Sequence, residues 1–225
     1  MDTGSKNELS LFTVLLGCTP KGRNIEQHDI FFGVANKLED LTNDMKVFWH
    51  KSVVDEVSAT LKKTIPGLNS TAMSAELLKT FTRRDKVHID AWVKVEYADG
   101  YKITVQSKSE AKTDNGQKLF FINLGGYKEN EFEEYHKKLF VVAASVSEAM
   151  AQIKTHPFMK EYSPDSLGKA GSAHLDDQHN VSFEADDIIC VSEALGGTYT
   201  LVLEPVTVHA ENKLVVGYVP FKYAD

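Results

Sequence analysis

Only two cysteines, Cys18 and Cys190, occur in the 225 residues, and neither belongs to a C-x-x-C pair. A disulfide framework and a cysteine-based structural zinc site are therefore not expected. No apolar run reaches membrane-spanning length. Residues Met1 to Glu8 are polar and lack the apolar centre of a signal peptide. Basic residues are outnumbered, 25 Lys and Arg against 32 Asp and Glu for a formal charge of −7, and they are scattered. Nucleic-acid binding needs a basic face that displaces counterions, so it is not expected here. Gly17-Cys18-Thr19-Pro20-Lys21-Gly22 lacks the Gly-Lys-Ser/Thr ending of a phosphate loop. These absences point to a reduced, cytoplasmic protein with neither a membrane nor a nucleic-acid partner.

What is present is an ordinary globular composition, 42% hydrophobic and 25% charged, and a pattern that occurs twice. Leu11-Phe12-Thr13-Val14-Leu15-Leu16-Gly17 precedes His28, and Leu119-Phe120-Phe121-Ile122-Asn123-Leu124-Gly125 precedes His136. The offset is 108 residues and holds from Leu11/Leu119 to Ala35/Ala143. A second match, Val87-His88-Ile89-Asp90-Ala91 with Ala173-His174-Leu175-Asp176-Asp177, has an offset of 86 and continues to Val105/Val191. Two matches in one order imply two copies of a unit, the first longer by 22 residues.

In chain order, residues 9–17 form a nearly continuous apolar run, which suits a strand buried on both faces. A second strand is expected to about Val34 and a helix from about Asn36 to Phe48. A further helix over Ser52–Thr64 carries Val53, Val54, Val57 and Leu61 on one face, with Pro66-Gly67 as its stop. Ser74 is expected to cap a short helix ending at Phe81. Residues 87–97 and 101–105 alternate around Asp99-Gly100, the composition of a tight hairpin turn. In the second copy, Leu139–Ala144 reads as a strand and Ser145-x-x-Glu148 as a capping box. Tyr199–Leu203 and Leu214–Val219 read as a closing hairpin. The expected fold is α+β: two tandem, pseudo-equivalent β-β-α-β-β units, mostly antiparallel, with a C-terminal β-hairpin. Their bounds are 9–107, with a helical insertion at about 50–84, then 118–195, then the hairpin extension 196–225.

Leu16-Gly17, Glu26-Gln27-His28-Asp29, Phe31-Phe32-Gly33, His88-Ile89-Asp90-Ala91-Trp92 and Asp99-Gly100-Tyr101 resemble a small group of bacterial proteins, the domain of unknown function 1543 family. Asn123-Leu124-Gly125-Gly126-Tyr127, Glu133-Glu134-Tyr135-His136 and His174-Leu175-Asp176-Asp177 repeat the likeness. The domain occurs once or twice per chain in that family. The resemblance spans most of residues 9–195 and implies no activity.

Each copy offers a His near its start and a His-x-Asp later: His28 with His88 and Asp90, then His136 with His174 and Asp176. Two imidazoles and a carboxylate are a ligand set for iron, zinc or manganese. The plainer account has each His bonded to a carboxylate or carbonyl, fastening a corner of its unit. Residues found only in the first copy are better candidates for a ligand: Arg23 beside His28 for an anion, Trp92 as a pocket wall, with Asp90 nearby. Cys18 and Trp49 are also confined to that copy, and packing is the simpler role for both. No nucleophile–base pair or cofactor loop stands out. The sequence therefore reads as a non-enzymatic binding or interaction module for an unknown protein or small molecule, with no cofactor predicted. The alternative is a small metal-dependent or acid/base enzyme using His28, His88 and Asp90.

Overall fold

The computed structural model describes residues 8–65, 69–108, 116–127, 130–157, 188–207 and 210–221. The apolar run at the start of the chain is strand β1 (Ser10–Cys18), buried along almost its whole length. It is flanked by β2 (Gln27–Ala35) and β3 (His88–Lys94), both antiparallel to it. Phe12, Val14, Leu16 and Cys18 share one face of β1 by strand alternation and meet Phe31, Ala35, Leu41, Met45 and Ile89 in a core. Gly33 opens that face for the helix: a Cβ there would come within 2.9 Å of both Leu41 methyls.

A short 3₁₀ turn (Leu38–Leu41) leads into one continuous helix, α1 (Thr42–Thr64). Two helices were expected over this stretch. Trp49-His50-Lys51 holds neither Gly nor Pro, so nothing breaks the backbone ladder between them. Helix α2 (Ser70–Arg84) is capped by Asn69, whose side chain accepts the Ala72 N–H at 3.1 Å. Ser74, the expected cap, lies inside α2, where its hydroxyl meets that of Ser58 on α1 at 2.8 Å. Pro66-Gly67 lies outside the described residues.

The Asp99-Gly100 turn forms as expected, both residues having positive φ (49° and 78°). Its first arm is only β4 (Tyr97–Ala98), because the chain leaves the sheet of β1 after Lys94 and enters another. There β5 (Tyr101–Ser107) pairs with β9 (Tyr199–Pro205). A third sheet joins β6 (Lys118–Tyr127), β7 (Glu134–Ala143) and β8 (Ile188–Cys190). Phe120, Ile122 and Leu124 carry its core face against α3 (Val146–Ile153). The capping box closes as expected, the Ser145 hydroxyl accepting Glu148 N–H at 3.2 Å and the Glu148 carboxylate accepting Ala144 N–H at 2.9 Å. A four-residue helix α4 (Val191–Ala194) follows β8. The architecture is α+β, and every strand pair is antiparallel among the described residues.

The expected C-terminal hairpin does not form. Strand β10 (Leu214–Pro220) pairs with β3, whereas β9 pairs with β5. The chain accordingly divides into one unit of Met1–Val95 with Glu211–Asp225 and another of Glu96–Ala210. These borders differ from the two repeats drawn from the sequence: the Asp99-Gly100 hairpin goes with the second unit and β10 with the first.

The hairpins β1–β2 and β6–β7 have one register. Leu11 faces Val34 and Gly17 faces His28; Leu119 faces Val142 and Gly125 faces His136. The third strands take the same place, β3 beside β1 and β8 beside β6, with Phe12 facing Lys94 and Phe120 facing Cys190, but the 86-residue match does not align them. The 86-residue offset would set Ile188 over Lys102 of β5, yet β8 pairs with β6 while β5 pairs with β4 and β9. The segment 173–181, which carries His174 and Asp176, lies outside the described residues.

Candidate functional site

The site is built on a break in strand alternation. Leu15 pairs with Ala91 of β3 and Leu16 with Ile89, so Asp90 is the extra residue of a β-bulge. Ile89 keeps its place in the core, Asp90 stays on the face that His88 occupies opposite Gly17, and the bulge reverses the alternation from Ala91 onward. His28 lies opposite Gly17 from the other side, on β2. Glu26, two residues before His28 at the mouth of β2, reaches the same spot by the period-two rule.

Four side chains thus meet. His28 Nε2 stands 3.1 Å from Asp90 Oδ2 and 3.6 Å from Glu26 Oε2. His88 Nε2 stands 3.0 Å from Glu26 Oε1 and 3.2 Å from Asp90 Oδ1. Each carboxylate therefore spans both imidazoles with its two oxygens. His88 is buried, Asp90 is about three-quarters buried, and Glu26 and His28 are open to solvent on one flank. His88 Nδ1 lies 3.3 Å from the Lys86 carbonyl, which can only accept, so that nitrogen carries a proton. Gly17 is the floor: a Cβ there would overlap Asp90 Oδ2 outright and stand 2.8 Å from His88 Nε2.

A second irregularity covers the quartet. Val216 pairs with Ala91 and Val219 with Ile89, leaving Gly217 and Tyr218 of β10 opposite Asp90 alone. Gly217 takes φ 147°, a conformation that disfavours side chains. Tyr218 lays its ring 4.3 Å from that of His88.

On the opposite face of β2 is a cavity of about 330 Å³. Its walls include Arg23, Gln27 and Asp29 from the β2 side, Trp49 and His50 from α1, and Phe81 from α2. His50 is buried and stacks on Phe81 with ring centroids 6.2 Å apart. Asp29 Oδ1 accepts the Ile30 N–H at 2.7 Å. Burial raises the Asp29 carboxyl above its ordinary range, and that hydrogen bond partly offsets it.

Of the four sequence candidates, His28 and Asp90 join in the quartet, and Arg23 lines the cavity that His28 also borders. Trp92 is elsewhere. The bulge returns it to the core face, where its ring lies 6.1 Å from Phe12. His88 enters the quartet as its buried member. His136 is exposed on β7, and the residues that would complete a matching cluster, His174 and Asp176, lie outside the described residues. Glu26 and Tyr218 were not singled out as site residues. Glu26 was detectable from its i, i+2 spacing to His28, whereas Tyr218 depends on a strand pairing that local sequence does not reveal.

Residues 23–54 match the family described as Domain of Unknown Function (DUF1543), a window that includes Glu26 and His28. The match agrees with the resemblance seen in that stretch, and the family's description assigns no function. No curated protein matches the chain. Among solved structures the chain is similar to the crystal structure of a protein Il1583 from Idiomarina loihiensis. That similarity has 20% identity and a TM-score of 0.49, over 96% of this chain and 100% of the other. No described helix is long and apolar enough to cross a membrane.

Proposed function

We propose that this protein is a non-enzymatic binding module whose first unit holds one divalent transition-metal ion of the zinc class on Glu26, His28, His88 and Asp90. The observation that carries the reading is that Glu26, His28 and Asp90 each offer a ligand atom within 4.8 Å of the others, with His88 Nε2 3.0 Å from Glu26 Oε1 and 3.2 Å from Asp90 Oδ1. With neutral imidazoles the quartet carries two negative charges, which one divalent ion balances. A bare imidazole lone pair cannot face a carboxylate oxygen, so either a metal ion or a proton has to lie between them. The His88 Nδ1 bond to a backbone carbonyl is the outer support that orients a metal-binding imidazole.

The equal registers of β1–β2 and β6–β7 support a duplicated unit in which the first copy carries the ion. In this reading the protein works in the reducing cytoplasm, in keeping with two free cysteines, and its partners are an ion and a small molecule.

Zinc titration by calorimetry, on tag-free protein first treated with chelator, tests the proposal. One ion per chain is expected. Binding should weaken at least about 100-fold in His88→Ala and Asp90→Asn and stay unchanged in His136→Ala. Absence of stoichiometric binding would leave the quartet as a proton-held fastener. The enzyme alternative draws on the solvent-open flank at Glu26 and His28. A cobalt-loaded sample whose visible spectrum responds to added azide would favour that alternative, because it requires an exchangeable position.

A further inference from the structure

We propose that the cavity behind β2 is a second site, taking a small zwitterion with an apolar body, of the α-amino-acid type. Its volume of about 330 Å³ lies within the range of small-molecule sites. Two opposite charges line it. The Arg23 guanidinium has no ion-pair partner among the described residues; its backbone N–H donates to the Pro20 carbonyl at 3.0 Å, which fixes the loop that presents it. Asp29 spends one oxygen on Ile30 N–H and likewise has no side-chain partner among the described residues. A lone anion would meet Asp29 and Asp85 on entering, and a lone cation would meet Arg23. A ligand bearing both charges engages each. Trp49 and Phe81 offer it aromatic walls, and Val53, 45% exposed, awaits an apolar contact. The stacked, buried His50 stiffens the Phe81 wall.

The cavity shares His28 with the metal quartet, but its charged groups, Arg23 and Asp29, lie outside the quartet. Its test is therefore run in chelator, so that failure of the metal reading leaves it intact. With two tryptophans in the chain, Trp92→Phe leaves Trp49 as the sole indole reporter. Its emission is titrated with L-phenylalanine, L-leucine and L-methionine, then with 3-phenylpropionate and 2-phenylethylamine. Calorimetry on the wild-type chain gives the same readout should the substitution weaken the fold.

At least one amino acid is expected to bind saturably, with each singly charged analogue at least about 10-fold weaker than phenylalanine. Arg23→Gln and Asp29→Asn should each weaken amino-acid binding at least about 10-fold with unchanged circular dichroism. Saturable binding of none of the three amino acids overturns the proposal. So does an analogue that binds as tightly as phenylalanine, or binding that survives Arg23→Gln.

Discussion

Gly17 stands between two histidine-bearing strands, and its missing side chain is what lets Asp90 and His88 approach. Gly17→Ala should lose zinc binding and destabilise the first unit by about 1–3 kcal/mol, the usual cost of forcing a methyl into packed surroundings. Calorimetry and denaturant unfolding read the two effects separately. At Cys190, burial is the main cause that raises the thiol above its ordinary range, so less of it is thiolate near neutrality. Alkylation at pH 8 should be slow for the native protein and should quicken as pH rises through and beyond the ordinary thiol range. Cys190 should react before the fully buried Cys18, as peptide mass mapping would report. At this scale the i, i+2 spacing grouped His88 with Asp90 and the repeat picked out His28, and the structure brings the three side chains together. Trp92 misled because one inserted residue, Asp90, reverses the alternation beyond it.

Elements were recoverable where their signals are local. The apolar runs, the Asp99-Gly100 turn and the Ser145–Glu148 box each depend on a few adjacent residues. Ser145→Ala should therefore cost the second unit about 1 kcal/mol, because it frees the Glu148 N–H from its partner; thermal unfolding measures this. What the local pattern could not convey is which strands pair. Two alternating stretches near the C-terminus look like neighbours, yet they join β5 and β3, which precede them by 92–104 and 121–132 residues. The helix boundary between Phe48 and Ser52 failed for a related reason: amphipathic faces mark which side is buried, not where a helix stops.

For the whole molecule, the two units give the metal proposal a spatial signature. Zinc should slow amide hydrogen exchange in β1, β2, β3 and β10, which carry or cover Glu26, His28, His88 and Asp90, and leave β6 and β7 unchanged. Slowing in β6 and β7 as well would assign the ion to a different place. Because β10 pairs with β3 and brings Tyr218 onto His88, the first unit is made of two segments, Met1–Val95 and Glu211–Asp225, with the second encoded between them. A ribosome releasing the chain at roughly 5–20 residues per second finishes the interior unit before it delivers the last strand of the outer one. The segment Met1–Val95 thus waits for its missing wall while the second unit is made, and the imidazole beneath Tyr218 stays uncovered on the nascent protein until β10 has followed.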